Sequence, residues 1–267
     1  MSVYLTIPSA RPPAEANPVL QRWRDAGYKI ALWRDADDQG LVADIVFHQP
    51  VYPGYAEAVN QLVRLVMDAD HDADWFVAAG DDVLPDPNNR AYEIAKECYE
   101  YFAALHAGPD AAPGVDISTK SITAALIGIA NSTFGVMQPT GDRFAGGSID
   151  RICGSAWIGR EFANRAYQGK GPLWPAFTHM FVDEHLQAVA QTLGIFWQRR
   201  ALVQLHRHYQ RESDALDSPA VDKPIPEHMK KSDAYTKAHW DKSRAIFDRL
   251  KAGGFREAFD LLPAQTS

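Results

Sequence analysis

Two adjacent carboxylates, Asp81 and Asp82, close the apolar run Asp74-Trp-Phe-Val-Ala-Ala-Gly-Asp-Asp-Val-Leu-Pro-Asp-Pro87. Like charges side by side resist burial, so the pair is either a hard-metal site or a solvated turn. Asp and Pro favour turns, and Asp86 is read as a turn residue. Two further groups could join the pair in one chemistry. His206 and His208 alternate so that both fall on one side of a strand, and each is a metal-ligand candidate or an ordinary hydrogen-bonded histidine. Asp183 and Glu184 open a helical stretch, where an acid either serves as a general base for a hydroxyl or simply favours the positive end of the helix dipole.

These residues need a frame, and the first half of the chain supplies one by alternating strand and helix signals. Val3–Ile7 is a short β-branched run stopped by Pro8, and Ala14–Ala26 has helical spacing at Val19, Leu20 and Trp23 before Gly27. Tyr28–Trp33 predicts a second strand running into the acidic loop of Asp35, Asp37 and Asp38. Asp44–His48 predicts a third, Tyr55–Met67 an amphipathic helix, and Trp75–Ala79 the strand that ends on the Asp pair. Such alternation implies βαβ crossovers and a parallel sheet with ligands at the carboxyl ends of its strands.

The second half is less regular. A helix is expected from Asn89 to about Ala107, a Gly/Pro/Asp-rich loop from Gly108 to Asp116, and a strand over Phe134–Gln138 with a turn at Pro139–Asp142. Asp183–Leu193 predicts a helix closed by Gly194, Ile195–His208 one long or two short strands, and Ser232–Leu250 a final helix after a polar stretch broken by Pro219, Pro224 and Pro226. No internal repeat is apparent.

At 267 residues and 46% apolar content the chain can bury a large core. No basic segment leading into an apolar one opens the sequence, and its longest apolar runs, such as Ala124–Ala130, fall far short of a span of about 20 residues. A cytoplasmic protein without membrane insertion is therefore expected. Its two cysteines, Cys98 and Cys153, are far apart and predict buried thiols, not a disulfide or zinc site. The net charge of −7 argues against a general nucleic-acid binder. Basic residues do concentrate locally at Arg199, Arg200, Arg207, Arg211 and Lys230-Lys231, as a solvated face or as a local contact surface.

Taken in order, these parts resemble the GT-A glycosyltransferases. A first strand with a Pro/Ser/Arg loop, a second ending in Asp, a helix with Asn60 midway and a strand closing on Gly80-Asp81-Asp82 resemble the nucleotide-binding half of that fold. Phe181-Val-Asp-Glu-His-Leu186, then Gly194, then His206-Arg-His208 resemble the acceptor half of the broad inverting family. The wording Gly135–Asp142, Gly154-Ser155, Gly169–Trp174 and His179–Glu184 is similar to phage-encoded members. The resemblance implies an α/β fold with a mixed sheet flanked by helices. It divides the chain into a glycosyltransferase domain over 1–210 (nucleotide-binding half 1–107, acceptor half 108–210) and a helical extension over 211–267.

The resemblance also implies chemistry. A nucleotide sugar, with UDP as the expected nucleotide, loses its diphosphate as a hydroxyl attacks, and a divalent ion (Mn2+ or Mg2+) meets the developing charge. Asp82 would be the direct ligand, Asp81 a ribose or outer partner, and His206 or His208 would complete the set. Asp183 is favoured as base because Leu186 follows it by three residues, with Glu184 in reserve. Pro8, Ser9 and Arg11 would border the nucleotide, Asp35 or else Asp37 would meet the base, and Asn60 would face the sugar or stay a helix-surface amide. Trp157, Trp174, Tyr167 and Trp197 are either a stacking platform or core. The acceptor suggested by the phage-like wording and the arginine cluster is a hydroxymethylated pyrimidine in DNA, with a glycan or small molecule as alternative. A nucleotidyltransferase is the rival enzyme class, though Ile7–Pro13 lacks its glycine-rich loop, and a non-catalytic nucleotide-sugar-binding module is the rival outside catalysis.

Overall fold

The computed structural model describes residues 1–36, 40–108, 130–144, 146–226 and 233–256. Its centre is strand β1 (Ser2–Pro8), an apolar run whose side chains are buried on both faces. Such a strand can only be internal, and β1 pairs in parallel with β2 (Lys29–Arg34) on one side and β4 (Ala73–Ala78) on the other. The edge strand β3 (Ile45–His48) pairs in parallel with β2 and alternates half-buried with exposed residues. Among the described residues the main sheet has seven strands in the order β3-β2-β1-β4-β7-β6-β8, with β6 at Val136–Pro139, β7 at Ala156–Gly159 and β8 at Phe196–Arg199.

Strand β7 changes the character of the sheet. It lies antiparallel to both β4 and β6, so the architecture is an α/β mixed sheet, not an all-parallel one. Ala156-Trp-Ile-Gly159 is only four residues long, below the length at which an apolar run distinguishes strand from core. A separate two-stranded ladder joins β5 (Val83–Leu84) to β9 (Leu205–His206), so the stretch after Ile195 forms two short strands serving different sheets.

Helices cover both faces. Helices α1 (Pro13–Asp25) and α3 (Ala91–Ala107) pack over a core of Leu5, Ile7, Leu20, Trp23, Trp75, Phe102 and Trp157. On the other face α2 (Tyr55–Ala69), the short α4 (Arg160–Arg165) and α5 (Val182–Thr192) bury Val59, Leu62, Val66, Phe162, Leu186 and Val189 against Phe76 and Ile158. Both cysteines are free and buried in these layers. The last helix, α6 (Lys237–Ala252), is preceded by a single 3-10 turn, Asp233–Tyr235, and is capped by Thr236, whose hydroxyl accepts the His239 N–H. No helix among the described residues is long and apolar enough to cross a membrane.

Two close approaches fix the loops around the carboxyl ends of the strands. The Tyr55 N–H donates to Thr178 O at 2.6 Å, and a Cβ on Gly54, which has φ +99°, would stand 2.7 Å from that same oxygen. A residue with a side chain there would push α2 off the 178–179 segment. Farther along α2, Asn60 is fully buried: its Nδ2 donates to Leu173 O at 2.8 Å and its Oδ1 accepts from Leu173 N at 2.9 Å. This corrects the expectation that Asn60 faces a sugar or is a helix-surface amide. It clamps the 171–173 loop, passing so close to Gly171 that a Cβ there would meet it at 2.6 Å. Asn60→Ala should cost about 1–3 kcal/mol for each backbone group it orphans, read as a lower urea midpoint. An unchanged midpoint would show the clamp to be idle.

Candidate active site

The residues singled out in the sequence gather at the carboxyl ends of β1, β2 and β4, although they come from four separate segments. β4 ends at Ala78, and the turn at Gly80 presents Asp81 and Asp82 in different directions. Asp81 turns toward the first loop: the Ser9 hydroxyl donates to its Oδ2 at 2.7 Å, and Arg11 Nε stands 3.1 Å from its Oδ1, an ion pair without hydrogen-bond alignment. Arg34, at the end of β2 and 1% exposed, braces this loop by donating to the carbonyls of Ser9 and Arg11. Pro8 occupies the last position of β1, half-buried.

Asp82 faces the opposite way. In the β5–β9 ladder Val83 is paired with His206, and the Arg207 N–H donates to Asp82 O at 2.8 Å. This register sets His206 Nε2 at 3.3 Å from Asp82 Oδ2. Burial alone would raise the Asp82 carboxyl, but His206, with Arg11, holds it below the ordinary range. For His206 burial lowers the pKa, while Asp82, then Asp142 and Asp183, more than restore it, so the imidazole is shifted upward. His208 is used differently. Its Nδ1 accepts the Gln210 N–H at 3.2 Å and its ring packs on Phe144 and Tyr209, with burial and the neighbouring His206 lowering its pKa.

Asp183 and Glu184 lie in the first turn of α5, entered through Phe181, which has left-handed backbone at φ +67°. A non-glycine residue held there costs about 1–3 kcal/mol and persists only when its surroundings enforce it. Asp183 is half-buried. Burial, then the Glu184 charge, push its carboxyl up to about 7, against the pull of His206. Glu184 is also raised by burial, with Arg244 opposing.

Could these side chains hold a divalent ion? Among the described residues no group of three or more His, Cys, Asp or Glu is arranged to do so. A two-ligand set is a different requirement. Magnesium-like ions are commonly held by one or two protein groups plus substrate phosphates and water, and adjacent ligands at about 2.1 Å from such an ion lie about 3 Å apart. Asp82 Oδ2 and His206 Nε2 meet that spacing. The donor set therefore fits an ion that arrives with a diphosphate and does not fit a closed protein cage.

No family model matches the chain, and no curated protein matches it. Among solved structures, the catalytic domain of Drosophila beta1,4galactosyltransferase 7, in complex with xylobiose, is similar over 88% of this chain and 82% of its own, at 11% identity and a TM-score of 0.43. At that distance the likeness carries no argument about activity.

Several site residues were not visible in the sequence. Asp142, in what looked like a plain turn, is 5% exposed; it accepts both Nη2 and Nη1 of Arg211 at 2.9 and 2.8 Å and the His206 N–H at 2.9 Å. Tyr55, His179 and Tyr235 form a chain of aromatic contacts beside the carboxylates, Tyr55 to His179 at 6.0 Å and His179 to Tyr235 at 4.9 Å, while Tyr52 packs on Trp33 at 5.2 Å. Burial, then Asp82 and Asp81, push the Tyr235 phenol up to about 12. An exposed aromatic with a neighbouring acid would have been the only signal, and aromatics at this density give no such contrast. Asp35 stands exposed just past β2, within electrostatic reach of Tyr52, and Asp37 lies outside the described residues.

The aromatic group and the basic cluster each had two readings in the sequence. Trp157 is fully buried and Tyr167 is 6% exposed, so both are core, while Trp197 is covered by Tyr101 stacked at 4.4 Å and 8°. They form no open platform. The arginines proposed to meet DNA are paired with acids: Arg199 with Glu97 at 2.7 Å, Arg207 with Asp214 at 2.7 Å, Arg211 with Asp142 at 2.8 Å and Arg200 with Asp150 at 3.6 Å. Such pairing weakens the attraction of these arginines for a phosphate backbone. Lys230-Lys231 lies outside the described residues.

Proposed function

We propose that the chain is a metal-dependent, inverting glycosyltransferase that moves a sugar from a nucleotide sugar, with UDP as its nucleotide, to an acceptor hydroxyl. The observation that carries this reading is the meeting of Asp82 with His206 at 3.3 Å, across more than a hundred residues of sequence, with the half-buried Asp183 within electrostatic reach of His206.

Each residue then has a task. Ser9 and Arg11 hold Asp81 in place at the nucleotide side, where its remaining acceptor capacity suits ribose hydroxyls. Asp35 and Tyr52 border the position of the nucleobase. Asp82 and His206 would hold the divalent ion, whose chemistry when bound is charge neutralisation of the departing diphosphate. Asp183 takes the acceptor hydroxyl proton as the oxygen attacks the anomeric carbon. The new C–O bond forms while the sugar–phosphate bond breaks, and the electron pair leaves on the nucleoside diphosphate. A single displacement of this kind inverts the anomeric centre.

Thermal-shift measurements test the reading. UDP-glucose or UDP-galactose with Mn2+ should raise the melting point by several degrees, because a ligand bound to the native state stabilises it by mass action, and neither component alone should do so fully. Asp82→Asn should remove the dependence on Mn2+. A shift with UDP-sugar that ignores Mn2+ and survives Asp82→Asn would sink the metal assignment. Release of pyrophosphate from a nucleoside triphosphate and a sugar phosphate would replace transfer by nucleotidyl chemistry.

A further inference from the structure

Helix α5 begins without the local signals that usually set a helix start. Its N-cap is Phe181, which makes no side-chain hydrogen bond to the first turn, and its backbone is left-handed at φ +67° where a capping residue is normally extended. A bulky residue avoids that region. Yet Phe181 O accepts the His185 N–H at 3.0 Å, the first hydrogen bond of the helix, so this residue sets where α5 begins and how Asp183 and Glu184 leave its first turn. Contacts from outside the local chain must hold it there.

The C-terminal segment supplies them. Trp240, Arg244 and Phe247 are spaced by four and then three residues, which places them on one face of α6. That face meets Phe181, whose ring lies 5.4 Å from the Trp240 ring and 5.5 Å from the Phe247 ring. The Arg244 guanidinium stands 5.6 Å from both the Phe181 and the Trp240 rings, fixed by its hydrogen bond to Asp248 at 3.0 Å. Contacts before and after the helix continue the line. Tyr235 packs on His179 at 4.9 Å, and Phe255 packs on Phe247 at 5.8 Å and on the buried His185 at 5.7 Å. The segment therefore touches the chain on both sides of Asp183.

We propose that Trp240, Arg244 and Phe247 are positioning residues, which hold Phe181 in its left-handed backbone and thereby fix the direction in which the first turn of α5 presents Asp183. Aromatic pairs and a cation over a ring contribute beyond the area they bury, and three such contacts converge on the one strained residue. Without them the backbone at Phe181 relaxes to a commoner conformation, α5 starts differently and the Asp183 carboxylate moves. The catalytic consequence rests on the reading of Asp183 as base; the hold on the helix start does not.

Hydrogen exchange of the full chain tests the hold, and turnover of UDP-sugar with Mn2+ tests its consequence. In Trp240→Ala/Phe247→Ala the amides of His185, Leu186 and Gln187 should exchange about tenfold faster while those of β1 and β4 keep their rates, because the opening is local. The kcat should fall by about 10²-fold, as for a misplacement of about 1 Å at a reacting group, with KM for UDP-sugar and the Mn2+ requirement unchanged. Phe181→Gly, which takes the left-handed backbone without strain, should restore much of the lost kcat when added to that variant. Phe181→Ser, a good N-cap only in extended backbone, should not. If the double variant does not fold, Trp240→Ala alone, at an exposed position, carries the same test with a smaller effect. Unchanged exchange at 185–187, equal rescue by Gly and Ser, or turnover that survives the faster exchange overturns the proposal. Faster exchange in the variant, together with a parent chain that turns over no UDP-sugar, keeps the hold and removes the transferase.

Discussion

Replacing Asp183 with Asn should lower sugar transfer by about 10²–10⁴-fold, the usual contribution of a positioned general base, while making the fold more stable above neutral pH. Both effects follow from one carboxyl. As a base Asp183 must be ionised, and with its pKa raised to about 7 by burial and Glu184, kcat/KM should climb as pH rises through about 7 and level off above it. Stability runs in the opposite direction. A carboxyl whose native pKa lies above its unfolded value near 3.8 stabilises the fold when protonated; that contribution is complete below about 3.8 and disappears as pH rises through about 7. Asn carries no charge at either extreme. The melting-point advantage of Asp183→Asn over the parent should therefore be larger at about pH 8.5 than at about pH 5.5. Activity of the variant within tenfold of the parent, or an advantage independent of pH, would remove Asp183 from this role. The stability arm separates a base from a merely structural acid, since a helix-favouring carboxylate would lose stability on neutralisation at high pH.

The sequence disclosed the frame more fully than the site. The sequence pattern placed β1, β2, β4, α1 and α2 within a residue or two, because the three strands are continuous apolar runs buried on both faces and the two helices carry a buried stripe. It missed β7, whose four residues are too few to show a period, and with it the antiparallel strand that makes the sheet mixed. The Asp pair stood out because adjacent charges at the end of an apolar strand are costly unless compensated. Which histidine meets Asp82 could not be read, since residues two apart on a strand share a side; only the Val83–His206 register separates them. Asn60 and the arginines of 199–211 show the same limit from the other direction. Their partners, Leu173, Glu97, Asp142 and Asp214, lie in other segments, and a one-dimensional pattern assigns a polar residue to solvent unless it can see what the residue touches.

The pairing of Asp142 with Arg211 carries the largest stability prediction. Both side chains are 5% exposed, and the contact is bidentate, with the Arg211 guanidinium also donating to the carbonyls of Ser213 and Ala215. Removing one partner leaves the other charge buried and uncompensated, so Arg211→Met should cost about 3–5 kcal/mol in urea unfolding. The double variant Asp142→Leu/Arg211→Met, which removes both charges, should lose less than the sum of its single changes, the signature of direct coupling in a double-mutant cycle. The pair also grips His206 from both sides of its backbone, since Asp142 accepts the His206 N–H at 2.9 Å and Arg211 donates to His206 O at 3.0 Å. Supporting groups of this kind commonly change metal affinity by about 10–100-fold when lost. Even the folded fraction of Arg211→Lys, which keeps the charge but not the fork, should then need more Mn2+ for half-maximal thermal stabilisation by UDP-sugar. Additive single and double changes would mean that the two side chains stabilise the fold independently, and an unchanged Mn2+ requirement would mean that His206 is held by the β5–β9 ladder alone.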